Sequence, residues 1–534
     1  MDIDAWRANS DLRRRRQRVA GLLCRSDEAL MERLVGSINP RSLVATLVRS
    51  YYLDGWNGDH SLPKMARASQ GRESKALDLG GLVLQVCYHR LAAAGSDDSS
   101  MRHLFDRLGR EFGSSVGVAL TPVVEPLRSP LAPYSPRSRA WIDSELVNVW
   151  GKGSHDELDR QGLIDYLDVV GLRGLLNAWF EVEPDKLSQV HPLEVLSALS
   201  IDQDDFESMV ELLVRQACCY GALREMAKAV PLVLDMPASV VPEGFEAWLF
   251  QDIVVPGYSL GAPPDALSAV GQRWGLALFD ADGEREMFDL PIWYQLKLYG
   301  NVATTVRYDH AIALQRRYGV GTGSVETADP PFLFLESSSE HPFQILQRYA
   351  ESLKLEVVAE DLGTIPDGLR ERIRRFGFLS MMVPLFGDER AAGSLVGLVV
   401  ALSTHDLPTI TGLLTGDDAR ELQRLGRSEE AAANHEMVLS LAAFAGNDGR
   451  SLLEDPLDDN RWWDVVGRLL ARCSARSRTH GARALWVPIE DFIGVTTRVN
   501  IPGSSLPQRR NWDQPFVVDV DLLCERLLMV EDLL

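Results

Sequence analysis

Eight short apolar runs constrain how this chain can fold. They cover residues 82–87, 116–123, 230–235, 304–309, 355–360, 381–386, 397–403 and 483–490. Each is rich in β-branched residues and continuous rather than alternating, the pattern of strands buried on both faces of a parallel sheet. Helical patterns separate them. Residues 367–376 form one, with Pro366 near its start and Gly377 as a stop signal. Eight such strands with helical crossovers predict an α/β fold, a (β/α)8 TIM barrel.

The spacing also predicts additions to the barrel. The gap over about 126–229 is far longer than one crossover, so an inserted helical subdomain is expected there, with residues 136–174 and 187–228 as its helical parts. Residues 1–78 read as an N-terminal helical extension ending in a polar linker over 61–75, and residues 79–534 as the catalytic barrel. Arg13, Arg14, Arg15 and Arg16 form a basic run, read as a solvated helix face because acidic residues surround it. No repeat at a 20–50 residue period is visible.

Composition narrows the class of protein. The chain has 534 residues, 46% hydrophobic and 25% charged, enough to bury a large core. Its net charge of −21 opposes nucleic acid and anionic membrane, both of which need a basic footprint. Six cysteines without CxxC spacing suit a reducing compartment. The first residues show no apolar signal region, and no run approaches the roughly 20 residues that span a bilayer. A soluble, cytoplasmic protein is expected.

Three carboxylates stand where three of the strands end: Asp309, Glu360 and Asp406. In an α/β barrel that end carries the active site. Three carboxylates there meet the needs of a retaining glycosidase: a nucleophile, an acid/base and a third group that grips the sugar. Taken singly, each would more often be a helix N-cap than a catalyst. Arg307 lies two residues before Asp309, so both side chains leave the strand on one side, and a cation there would keep Asp309 ionised. His310 and His405 adjoin carboxylates and can donate hydrogen bonds to hydroxyls. HExxH, HxH and a strand-borne GxGxxG are all absent. Gly319 to Gly323 superficially looks like a phosphate loop but lacks its Lys-Ser/Thr ending, and is read as a flexible loop near the site.

These segments, in order, resemble a known family: the 4-α-glucanotransferases of glycoside hydrolase family 77, the amylomaltases or disproportionating enzymes. Pro133-Tyr134-Ser135-Pro136 resembles its "PYS" segment, and residues 261–275 its "GAPPD-F---GQ-WG" signature. Arg307-Tyr308-Asp309-His310 resembles "RIDH", residues 360–364 "EDLGT" and residues 403–409 "STHDLPT". Residues 499–503 with Asn511-Trp512 resemble the terminal "VN-PG…NW". The resemblance runs from about residue 80 to 515. It implies Asp309 as nucleophile, Glu360 as acid/base and Asp406 as stabiliser of the transition state. It implies that Arg307, His310 and His405 line the donor subsite and that Gln272 and Trp274 contact the glucan. Asp265 and Tyr134 are placed along the same cleft. The implied partners are an α-1,4-glucan donor and a sugar acceptor, with no metal or organic cofactor. The segment after His310 and the early "NWGIGDF" segment depart from the family's pattern. A glucan-binding protein that has lost turnover and a related α-glucan hydrolase are the alternatives.

Overall fold

The computed structural model describes, in the main, residues 76–87, 98–121, 227–240, 250–264, 271–286, 303–322, 331–446, 462–502 and 518–532, together with residues 6–7, 9 and 12–16. The expected insertion over 126–229 falls outside them almost entirely, as does the linker over 61–75.

Twelve strands occur among the described residues: β1 (Gly81–Cys87), β2 (Val116–Thr121), β3 (Leu232–Met236), β4 (Val254–Ala262), β5 (Gln272–Phe279), β6 (Thr305–Tyr308), β7 (Arg316–Gly321), β8 (Phe332–Glu336), β9 (Glu356–Ala359), β10 (Leu379–Met382), β11 (Leu398–Ala401) and β12 (Ala484–Pro488). Eight of them close into a barrel in the order β1, β2, β3, β6, β9, β10, β11, β12 and back to β1. Every neighbouring pair in it is parallel. All eight apolar runs contribute a barrel strand. Their continuity has the expected cause: Val83, Leu84, Val118, Leu232, Val306, Val358, Met381, Val400 and Val487 have no exposed surface. The sixth run departs in one respect. Its strand ends at Met382, and Pro384–Phe386 turns as a 3-10 helix, because Pro384 has no N–H for a ladder.

The helices pack outside this barrel. Those that bear on the site are α1 (His341–Leu353), α2 (Leu369–Arg375), α3 (Ile410–Thr415), α4 (Asp417–Arg424), α5 (Ser428–Phe444), α6 (Trp462–Thr479) and α7 (Glu490–Ile493). In α1, Pro342, Phe343, Leu346, Tyr349, Ala350 and Leu353 are buried, the stripe a helix presents to a sheet. Helix α2 stops as expected at Gly377, whose φ of 74° lies in the left-handed region.

The remaining four strands form a second sheet in the order β5, β4, β7, β8, antiparallel throughout. Inserts were expected to be helical, so this sheet is an addition to the prediction. It is assembled from two places in the chain, between β3 and β6 and between β6 and β9. The flexible loop expected at Gly319 to Gly323 is corrected: β7 runs through Gly321. Gly319 serves packing there. A Cβ on it would stand 2.6 Å from Leu278 Cδ2 and 3.1 Å from Leu333 Cγ, so glycine leaves room for side chains of the neighbouring strands.

The basic run needs a correction as well. Arg14 and Arg15 are exposed, as a solvated face requires, but Arg16 is only 1% exposed. Its Nε donates to the Asp252 carbonyl at 2.8 Å, and its guanidinium lies 5.0 Å from the centre of the Trp6 ring. Burial of such a cation is tolerated because it is hydrogen-bonded and stacked.

Candidate active site

The ladder between β3, β6 and β9 extends one residue past the strands. Asp309 N donates to Met236 O, Glu360 N to Tyr308 O and Ala311 N to Glu360 O, each at 3.0 Å. Those bonds fix where the first residues beyond the strands stand, and two of them are Asp309 and Glu360. His310 follows with φ 47°, a left-handed conformation uncommon for a residue with a side chain. In that conformation its N–H reaches Glu360 Oε2 at 2.8 Å.

Arg307 is the centre of charge. Its Nη1 lies 2.8 Å from Asp309 Oδ1 and 2.6 Å from Asp235 Oδ1. The side chain is almost wholly buried, whereas that of Asp309 is 34% exposed and so reachable by a ligand. Glu360 is 8% exposed. Burial pushes its carboxyl up to about 8, with Asp309 and Asp361 acting in the same direction against Arg307 and the His310 N–H. A carboxyl at that level holds its proton at neutral pH and can donate it. His310 goes the other way: burial lowers it to about 4, so its ring is neutral.

Asp406 is gripped from the far end of the chain. Burial works to raise its carboxyl, but His405 and the Asn500 amide outweigh that and bring it down to about 2. Asn500 Nδ2 donates to Asp406 Oδ1 at 2.6 Å, and His405 Nε2 lies 3.4 Å from Oδ2. Arg498 Nη1 reaches the Asp406 carbonyl at 3.3 Å, itself held by both oxygens of Asp418 at 2.7 and 2.6 Å. Burial opposes a charge on His405, yet Asp406 beside it prevails and the imidazole sits above its usual range.

Helix capping is not the role of these three carboxylates. The cap of α3 is Thr409, whose Oγ1 accepts from Gly412 N at 2.9 Å. Gly368 precedes α2, and the 3-10 turn Ala311–Leu314 starts at His310 without a side-chain cap. Asp309, Glu360 and Asp406 are therefore free of the structural duty that most readily explains a carboxylate after a strand.

The inserted sheet delivers the aromatic group. Trp274 on β5 meets the His310 ring edge-on, centres 4.8 Å apart, and its indole N–H donates to Gln272 Oε1 at 3.0 Å. The structure thus brings Arg307, Asp309, His310, Glu360, Gln272 and Trp274 together, with His405 and Asp406 joined to them through Asp235. Asp265 and Tyr134 lie outside the described residues.

Asp235 is the residue sequence reasoning passed over. It stands beside Arg307 in the β3–β6 register, and His405 Nδ1 lies 3.8 Å from its Oδ2. Burial pushes its carboxyl up against the pull of Arg307 and His405. The signal was available, since Asp235 ends the third apolar run just as Asp309 ends the fourth. Gln85 was also missed. It interrupts the first run with a polar group, donates to Ser403 O at 2.8 Å, and lines a cavity with Asp235, Arg307, Thr404, His405 and Trp486.

A closed parallel barrel with a carboxylate cluster after its strands defines the class: an α/β-barrel protein built like a glycoside-processing enzyme. The family follows from comparison. The family model described as 4-alpha-glucanotransferase, glycoside hydrolase family 77, matches residues 173–519, and the chain belongs to that family. The 4-alpha-glucanotransferase of Mycobacterium tuberculosis (strain ATCC 25618 / H37Rv) is 27% identical over 297 residues, 53% of this chain and 40% of that protein. The one from Haemophilus influenzae is 26% identical over 294 residues, 50% and 39% respectively. The matched stretch thus spans about two fifths of these relatives. Among solved structures, amylomaltase from Corynebacterium glutamicum superposes with a TM-score of 0.60 at 17% identity, covering 88% of this chain and 76% of that one. Amylomaltase from Streptococcus agalactiae in complex with acarbose gives 0.51 at 16% identity, covering 91% and 97%. At such identities these neighbours speak for the fold. No helix among the described residues is long and apolar enough to cross a membrane.

Proposed function

We propose that the chain is a cytoplasmic 4-α-glucanotransferase that moves α-1,4-glucan segments between maltooligosaccharides, starch or glycogen by a retaining double displacement. Residues 79–534 are the catalytic unit in this reading, and residues 1–78 its helical extension. The observation that carries it is the contrast between Asp309, one-third exposed and 2.8 Å from Arg307, and Glu360, buried and raised to about 8. One carboxylate is available to attack while its neighbour keeps a proton.

Glu360 gives that proton to the glycosidic oxygen as Asp309 attacks the anomeric carbon, so the C–O bond breaks and a glucosyl ester forms. The Glu360 carboxylate then takes the proton of an incoming 4-hydroxyl. That oxygen displaces Asp309, and two inversions leave the α configuration intact. Asp406, held ionised by His405 and Asn500, grips sugar hydroxyls. Asp235 keeps Arg307 and His405 in place. Trp274 stacks on a sugar face, with its indole N–H anchored by Gln272.

The test is incubation with maltotriose followed by chromatography. Glucose together with oligomers longer than the substrate is expected. Folded protein that yields no product overturns the reading, and binding without product supports a glucan-binding protein instead. Glucose and maltose without longer products make the chain a hydrolase.

A further inference from the structure

The inserted sheet has one apolar face, formed by Val255, Leu260, Leu276, Leu278 and Leu335 with Leu333 beside them. A four-stranded sheet needs such a face covered to be stable. Trp274 and Tyr258 pack on this cluster from within the sheet, and Ala238 from the segment after β3. From much farther away in sequence comes Trp6, which packs on the same cluster.

Three arginines fasten the segment that carries Trp6. Arg7 Nε and Nη2 reach Asp280 Oδ1 at 3.0 and 2.5 Å, and Asp280 is fully buried. Arg16 Nε donates to Asp252 O at 2.8 Å, and Arg15 Nη2 lies 3.3 Å from Asp252 Oδ1. Asp252 precedes β4 by two residues, and Asp280 directly follows β5. The anchors therefore bracket the hairpin that bears Trp274. Arg16 also lies over the Trp6 ring, so the indole is held between a guanidinium and the sheet.

We propose that Trp6 is a positioning residue for the Trp274–Gln272 wall of the glucan site, which makes the start of the N-terminal extension part of substrate recognition. This rests on reading Trp274 as a sugar platform. Trp6 touches no sugar. It fills the apolar layer beneath the platform, and Arg7 and Arg16 keep it there. Losing the indole opens a void on the face that seats Trp274, and the Trp274–His310 contact loosens with it. The carboxylates stand on the barrel and keep their places, so binding weakens while the chemical step continues.

The experiment compares Trp6→Ala, Trp6→Phe and Arg7→Gln with the unaltered 534-residue chain. Steady-state kinetics on maltotriose are combined with hydrogen exchange. For Trp6→Ala, KM is expected to rise roughly tenfold with kcat within about twofold, the signature of lost binding rather than lost chemistry. Peptides from residues 254–279 should exchange faster while those from 356–359 and 398–401 stay protected. Trp6→Phe should restore most of both. Arg7→Gln, which loosens the anchor and keeps the indole, should move KM and exchange the same way by less, and it decides the matter if Trp6→Ala does not fold. An unchanged KM in an active protein overturns the inference alone, as does unchanged exchange over 254–279 or a fall confined to kcat. A chain that binds maltotriose without turnover overturns the transferase reading alone, and the Kd from calorimetry then replaces KM. A chain that does neither overturns both.

Discussion

In the barrel each strand is paired on both sides and covered on both faces, so the chain has little choice about where a residue after a strand stands. The inserted sheet is open. Among the described residues its edge strands β5 and β8 each have one neighbour, and one face leaves Phe332 62% and Phe334 44% exposed. In the proposed mechanism the closed element carries the groups whose mutual distances decide the reaction: Arg307, Asp309, Glu360 and Asp406. The open one carries Trp274 and Gln272, which in the proposed mechanism meet the sugar without reacting. A barrel keeps charges in register because moving one strand disturbs two neighbours. A sheet with a free edge can shift to fit a ligand at small cost.

If that division holds, substitutions in the two regions fail differently. The largest effect belongs to the barrel. Glu360→Gln should lower the maltotriose rate by at least ~10²-fold, the low end for a lost general acid. Asp309→Asn, which removes the nucleophile, should cost at least as much. Initial rates by chromatography decide this, and a near-normal rate for either variant breaks the assignment. Titration is the next largest. The folded-state carboxyl of Glu360 is raised to about 8, so the acid is present below that pH and lost above it. kcat/KM should therefore fall on the alkaline side with a midpoint near 8. A fall centred near 5 would exclude Glu360 as the proton donor. The sheet comes third. Trp274→Ala should raise KM about tenfold and leave kcat within about twofold, as expected when ground state and transition state lose the same contact. An equal loss in kcat would join Trp274 to the chemistry and erase the contrast.

The two regions also differed in how far the sequence revealed them. Burial on both faces writes itself into a strand as an unbroken apolar run, so residues 82–87 or 397–403 declare their role without a partner in view. β4, β5 and β7 bury every residue only over their last three or four positions, and β8 buries Leu335 alone. They contain Gly257, Gly261, Gly275, Gly319 and Gly321, and a register shift between Leu260 and Gly261 breaks the alternation that would mark them. Gly319 and Gly321 read as a loop for that reason. Asp309 and Glu360 were legible because each ends an apolar run, and Asp406 because it follows one by three residues. Asp235 ends one too, and only its place beside Arg307, 72 residues away, shows what it does. The basic run was misread at Arg16 for the same cause: a cation looks solvated until the acceptor at Asp252, 236 residues on, is seen.

The smallest effect on turnover is expected inside the barrel framework, at a carboxylate the proposed reaction does not use. Asp491, in α7 just past β12, is fully buried. Its Oδ1 accepts from Thr411 N at 2.9 Å and from Thr411 Oγ1 at 3.3 Å, tying α7 to the first turn of α3. Burial pushes the carboxyl up to about 8, and Glu490 adds to the rise. The native state therefore binds this proton more tightly than the unfolded chain, where an aspartate titrates near ~4. Its contribution to stability is whole below about pH 4 and is lost as pH rises through about 8. Asp491→Asn keeps an acceptor for Thr411 and has no charge to bury. Melting curves of the two proteins should coincide at pH 4 and separate toward pH 9, with the asparagine variant the more stable at the alkaline end. A constant difference across that range would mean that the Asp491 carboxyl does not change its charge there.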